Sequence, residues 1–433
     1  MFIIKNVSLI SLLFFVFLLP FSLTIANIGF FVFVLGIFIN KDLYKNFSSR
    51  TINNPIKYFV FFSFAYWLWC ICSLLWTDDF GRGVQLCGRY IMIAAFPLSF
   101  YLAKVGVIIK NTKILAWTFI VGVIISSFIC LYMSYQDCWH ETENGTIFSI
   151  DYYLLGLTPY EAISKGLSCF SYNFLSHFVH PAYYSLYFIL IVVFLLYEFS
   201  KSKLRKLKII YLIGSIYCLV FLYLLQSRAA FVALCVVLLV LFAYVSFIKK
   251  QYKFFLCGIV SFSIVCIFII PHTRLSGIID GIEKALERED NKDLSWSLEE
   301  EENTRIIIWQ RAFEVIKQHP ILGVGIGDTD IELQNEYKKH NLNTELGTHN
   351  QYIYAQLSMG IIGLLLLLAM LFTPLYFGIK NRYFPLIGFA VAVMVNLMFE
   401  NMLTRNAGLM FIPWATMLLL MMSEENKKEI SNE

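Results

Sequence analysis

The chain has 433 residues, of which 58% are hydrophobic and 15% charged, with a formal net charge of +4. A soluble domain carries roughly 25% charged residues, so this composition excludes a solvated globule of that size. The charges are also clustered, and the apolar runs between them are continuous rather than alternating, which excludes a β-barrel.

Taken in chain order, the first apolar stretch, Val7 to Leu19, follows Lys5 and has no small-residue cleavage site after it. A second apolar run begins at once, so the pair reads as a helical hairpin turned near Pro20 to Ser22 and not as a signal peptide. Further on, Tyr58 to Thr77, Ile114 to Gln136, Ala229 to Ile248, Phe254 to Pro271 and Gln351 to Ile379 hold no charge. A helix of about 20 apolar residues crosses a bilayer. The spacing predicts spans over 7–23, 25–40, 58–76, 86–103, 114–134, 178–197, 209–226, 229–247, 254–271, 352–378, 383–400 and 406–422. The fold class is therefore an all-α polytopic membrane protein with about twelve spanning helices.

Lys and Arg mark the cytoplasmic side of such a protein. Alternate connections are basic: Lys41, Lys45, Arg50 and Lys57; then Lys104, Lys110 and Lys113; then Lys201, Lys203, Arg205, Lys206 and Lys208; then Lys249, Lys250 and Lys253; then Lys380 and Arg382. The intervening short links hold Arg82, Lys165, Arg228 and Arg405. This alternation predicts cytoplasmic termini and divides the chain into residues 1–271 with nine spans, a large outer loop 272–350, and residues 351–433 with three spans and a cytoplasmic tail. Within the large loop, Arg305, Trp309, Ala312 and Ile316 recur at helical spacing, with Asn303 or Thr304 as a cap and His319-Pro320 as a stop. The acidic run Glu299 to Glu302 reads as a solvated face. Cys138 and Cys169 share the other long outer loop, about Tyr135 to Ser176, and are expected to pair in an oxidising compartment.

Polar residues at the outer membrane face are the informative ones. Arg228 stands in a tight link, Gln226-Ser227-Arg228-Ala229-Ala230, that needs no cation, and a guanidinium there suits bidentate binding of a phosphate. Arg405 occupies an equally short link with Glu400 just before it, as an ion pair or as part of an anion site. Arg82 and Arg89 flank the start of the fourth span near one helical face, as anchors or as additions to that site. His349, in Gly347-Thr348-His349-Asn350-Gln351, enters the tenth span and is a candidate proton acceptor. His177 and His180 lie at the mouth of the sixth span, but without a carboxylate at ligand spacing the case for a metal is weak. Gly323-Val324-Gly325-Ile326-Gly327 looks like a phosphate-binding turn but lacks the strand-to-helix context of one; Asp328 and Asp330 are a poor calcium signal.

The order and spacing of these residues resemble the O-antigen ligase and O-antigen polymerase superfamily of bacterial envelope glycosyltransferases. The resemblance is carried by Arg228, then Arg305-x3-Trp309, His319-Pro320, Gly323-x-Gly325, His349-Asn350, Gly360 and Gly363, and Glu400 to Arg405, with His180-Pro181-x-Tyr183 before them. It implies a lipid-sugar-dependent glycosyltransferase fold of the type C kind, in a bacterial inner membrane with the active site on the periplasmic side. The donor it implies is a glycan on undecaprenyl diphosphate. The acceptor is the lipid A core for a ligase, another lipid-linked repeat for a polymerase, or a protein for a cognate oligosaccharyltransferase. No metal, cofactor, nucleotide or nucleic acid is implied.

On this reading Arg228 and Arg305 clamp the diphosphate, with Arg405 or Arg89 assisting, and His349 takes the proton of the acceptor hydroxyl. His180, Asn350, Trp309 and Glu400 support the site or the acceptor. A transporter or flippase is the competing class, disfavoured because the helix centres are almost bare of charge.

Overall fold

The computed structural model describes residues 2–39, 54–103, 111–143, 145–248, 301–340, 342 and 345–432. It is a bundle of membrane-length helices carrying an outer layer of loops and short helices. Among the described residues, eight helices are long and apolar enough to cross a membrane, and three shorter apolar helices accompany them. Eleven of the predicted spans correspond to these helices; the span 254–271 lies outside the described residues.

The N-terminal hairpin, Phe2–Leu18 and Leu23–Ile39, turns where Phe21 and Ser22 donate to the Leu18 carbonyl. Asn54–Cys72 continues as a 3-10 turn to Trp76, and Phe80–Ala103, Thr112–Asp137, Pro181–Lys201, Arg205–Leu224 and Arg228–Ile248 follow. The Pro181 helix and the last helix, Asn406–Asn432, form the centre: their apolar windows are 83% and 89% buried, against 22% for the Arg228 helix. Aromatic rings fill the space between them. Trp414 packs on Phe119 and Phe15, and Phe411 on Phe119 and Tyr187. With lipid outside as apolar as the core, such packing rather than the hydrophobic effect holds helix to helix.

Of the predicted spans, one is present with a break and one is shorter than expected. Gln351–Lys380 is not one straight helix: Gly360 has φ 66° and ψ −167°, and the helix breaks there. The chain after the loop helix enters the notch. Val324 and Gly325 donate to the carbonyls of Leu357 and Ser358, and Ile361 donates to Pro320. A Cβ on Gly360 would lie 2.0 Å from the Ile321 oxygen, so only glycine fits. The span predicted over 383–400 is helical only over Phe384–Asn396, too short to cross alone. The chain from 397 to 405 is a folded link with a 3-10 turn at Met402–Thr404, and this link places Glu400 and Arg405 off the helix.

The large loop contains the predicted helix, Glu301–Gln318, which includes Asn303 and Thr304 rather than starting at them. A second helix, Thr329–Lys339, was not predicted. Ile308, Ala312, Val315 and Ile316 of the first pack on Leu333 and Tyr337 of the second and on Ile353 and Leu357 of the broken membrane helix. The 135–176 loop holds an antiparallel hairpin, Trp139–Thr142 with Gly145–Phe148, the one departure from helix among the described elements. Cys138 and Cys169 are buried neighbours but are free thiols, contrary to the predicted disulfide. Burial pushes both thiols up, with Cys169 adding to the rise at Cys138.

Candidate functional site

A cavity of about 170 Å³ opens at one end of the bundle, lined by His180, Arg228, Arg305, His349, Glu400 and Arg405 together with Tyr172, Tyr183, Gln226 and Ser227. Since a water claims about 30 Å³, the space admits several waters or a diphosphate. Three of these residues, His180, Arg228 and Arg405, stand at helix starts, while Arg305 lies within the Glu301–Gln318 helix and Glu400 in the link after Asn396. Arg228 opens its helix after a link of three residues, Leu225 to Ser227, in which Gln226 has a φ of 44°. Arg405 immediately precedes Asn406–Asn432, and His180 precedes Pro181–Lys201, where its Nδ1 accepts from the Ala182 amide at 3.4 Å.

Glu400 ties the polar wall together. Its Oε2 is 3.4 Å from His349 Nδ1 and its Oε1 is 3.6 Å from Arg305 Nη2, while Arg305 Nη1 donates to the Phe399 carbonyl at 3.3 Å. These contacts replace the Glu400–Arg405 ion pair considered from sequence. Burial alone would raise the Glu400 carboxyl, but the hydrogen bond from His349 and the charges of His349, Arg305 and His180 outweigh it and hold the group below the usual glutamate value. Partial burial holds the His180 ring below the ordinary histidine value, with Arg405 and His349 adding to that and Glu400 opposing it. An ionised carboxylate only accepts, so the tautomer that suits this contact has its proton on Nδ1 of His349. Three guanidinium groups against one carboxylate leave the pocket cationic.

Asn350 and Trp309 support this wall without lining the cavity. The Asn350 side chain caps the broken helix, accepting from the Tyr352 and Ile353 amides at 3.0 and 3.2 Å. Trp309 Nε1 donates to the Thr348 carbonyl at 2.8 Å, fixing the residue before His349, which itself sits at φ 43°. Sequence reasoning missed Thr348 and Gln351. Thr348 Oγ1 and Asn401 are hydrogen-bonded at 3.1–3.2 Å, Gln351 Oε1 accepts from the Leu403 amide at 2.9 Å, and the Gln351 amide donates to Leu397. They stitch the link that carries Glu400 and Arg405 to the extended entry that carries His349. Only their place beside His349 could have signalled it.

Other predicted residues lie elsewhere. Arg89 is exposed on Phe80–Ala103 and does not line the cavity; Arg82 pairs with Asp330. Asp328 accepts from the Asp78 and Asp79 amides, both at 2.7 Å, so both aspartates serve as struts to the 77–82 link. The glycine turn faces protein: a Cβ on Gly325 would meet Thr77 Oγ1 at 2.4 Å, and one on Gly327 the Asp79 oxygen at 2.3 Å. His177 Nε2 turns to Ser134 and Asp137, at 3.3 and 3.7 Å, away from His180. Among the described residues the group with metal-ligand spacing is Glu314, Glu336 and His340, but Arg311 Nη1 lies 2.7 Å from Glu314 and 2.9 Å from His340, a cation already in place.

Residues 213–368 match a family model described as O-Antigen ligase. The match includes Arg228, Arg305, His349 and Gly360, and stops before Glu400 and Arg405. An uncharacterized protein of Haemophilus influenzae (strain ATCC 51907 / DSM 11121 / KW20 / Rd) is 28% identical over 164 residues, 36% of this chain and 39% of that protein. The chain thus aligns with well under half of that relative's length.

Proposed function

We propose, from the premise that the chain is a multi-pass membrane protein of the O-antigen ligase superfamily with a glycosyltransferase-type domain, that it moves a glycan from undecaprenyl diphosphate to an acceptor hydroxyl on the lipid A core, at the periplasmic face of the bacterial inner membrane. The observation that carries the reading is the convergence of Arg228, Arg305, Arg405, Glu400 and His349 on one cavity from four separate stretches of chain.

In this reading the acceptor O–H gives its proton to Nε2 of His349 as its oxygen bonds the anomeric carbon. The bond from that carbon to the diphosphate oxygen breaks on the opposite face, so configuration inverts. The electron pair leaves on undecaprenyl diphosphate, whose charge the three guanidinium groups neutralise as it develops. Glu400 keeps His349 in the tautomer with a free Nε2 and stabilises the imidazolium that forms. Arginine is suited to the clamp because its planar fork meets two phosphate oxygens at once.

Gene deletion with glycolipid analysis tests the assignment. Loss of a ligase leaves bare core lipid and accumulates lipid-linked polymer. Core bearing a single repeat would overturn the ligase reading in favour of a polymerase with the same chemistry, and an unchanged core with unglycosylated protein would point to protein as the acceptor.

A further inference from the structure

The 135–176 loop contributes Tyr172 to the cavity rim, and the hairpin at its start takes no part in the proposed chemistry. That hairpin has an unusual surface. Along Thr112–Asp137, Val121, Ile125, Phe128, Tyr132 and Tyr135 are exposed at steps of three and four residues, one continuous apolar stripe on the outside of the bundle. On a spanning helix such a stripe meets lipid.

The stripe does not stop at the helix end. Trp139 and Phe148 stand opposite each other in the hairpin register, with ring centroids 5.3 Å apart. Tyr135, on the last turn of the helix, lies 6.4 Å from Trp139 and 5.8 Å from Phe148. All three rings are close to half exposed, at 46%, 47% and 46% for Tyr135, Trp139 and Phe148. Further along the hairpin Glu141 pairs with Thr146, and Glu143 follows, so the structure is aromatic at its base and acidic toward its tip.

We infer that the Trp139–Phe148 hairpin is an interfacial anchor, seated in the outer leaflet of the membrane at the boundary between headgroups and acyl chains. The exposed aromatic base continues the lipid-facing stripe at the level where the helix ends, which is where amphipathic rings gather in membrane proteins. The acidic tip resists deeper entry. The anchor also sets the height of the cavity rim. Ser149 donates to the Cys138 carbonyl, Cys169 donates to Ile150, and Asp151 bridges Ser168, so the hairpin is stitched to the segment that leads into Tyr172.

The test uses the full-length protein in nanodiscs of phospholipids brominated at shallow or deep acyl positions. The emission of Trp139 is isolated as the difference between the wild type and Trp139→Phe. It should lose most of its intensity with shallow bromines, less with deep ones, and little with aqueous iodide. Moving the probe by adding Phe148→Trp to the Trp139→Phe protein should reproduce the pattern and guards against a perturbed variant. Strong iodide quenching with no response to either bromolipid would place the hairpin in water and overturn the anchor. Iodide quenching in nanodiscs but protection in native membrane patches would assign the patch to a protein partner and overturn it equally.

Discussion

Two segments look alike in sequence as places for an anion, and the structure separates them. Gly323 to Gly327 offers backbone amides; the cavity offers guanidinium groups. In the glycine turn the amides of Val324 and Gly325 are already bonded to the broken membrane helix, and the missing side chains make room for Thr77, Asp79 and Gly360. In the cavity, Glu400 engages Arg305 and His349 at 3.4 to 3.6 Å, and the side chains of His180, Arg228 and Arg405 line the same space. A glycine-rich turn is an anion site only when its donors face a void. Here the turn builds the scaffold and the side chains make the site.

Substitutions in the two segments should therefore fail in different ways. His349→Ala is expected to reduce transfer by roughly 10²- to 10⁴-fold, the usual worth of a general base, while leaving thermal unfolding and donor binding near the wild type. A purified variant turning over at the normal rate would remove His349 from the chemistry. Gly360→Ala should show the reverse profile. Strain at positive φ and the clash with Ile321 together cost about 3 kcal/mol, read as a lowered unfolding temperature in detergent and a poor yield of folded protein. Arg228→Lys keeps the charge and loses the fork, and should slow transfer by roughly tenfold to a hundredfold. Equal rates for Lys and Arg would make the residue a mere point charge.

Glu400→Gln should cost about tenfold in transfer at neutral pH, by removing the carboxylate that orients His349. Since the Glu400 value is depressed in the folded protein, its stabilising effect is fully present above about pH 4.5, the ordinary value, and is lost as pH falls through the lowered one. Thermal stability compared at pH 7 and pH 4 should thus fall more in the wild type than in Glu400→Gln. The smallest effect on turnover belongs to Asp328→Asn, which keeps one acceptor oxygen and loses one charge-assisted bond to the 78–79 amides, about 1.5–3 kcal/mol of stability, and should leave turnover intact.

The helices were legible because charge gaps of membrane length seldom arise in a chain that stays in water, and Arg228 stood out as a cation in a link that needs none. The loop helix was legible from the spacing of Arg305, Trp309, Ala312 and Ile316. The break at Gly360 was not, since a glycine in an apolar run looks ordinary until Ile321 is seen against it. Nor was the end of the helix at Asn396: Leu397 to Phe399 are apolar and extend the run, and it is the bond from the Gln351 amide to Leu397, between segments far apart in sequence, that draws the chain aside. Arg89 failed for a related reason. Helical spacing places it on a face, but which face meets the cavity is decided by neighbours.

The notch at Gly360 also has a mechanical consequence. A catalytic loop joined to a membrane by flexible ends could swing as a lever, with turnover waiting on its closure. Here the stretch from Pro320 to Gly325 is bolted into the same spanning helix that His349 leads into, and Asp328 and Asp330 brace it against the 77–82 link. Those fastenings hold the part of the loop that runs from the Arg305 helix toward His349 in register with the bilayer. On the proposed function, a lipid-linked donor arriving within the membrane plane would meet His349 and the arginines already at a fixed depth.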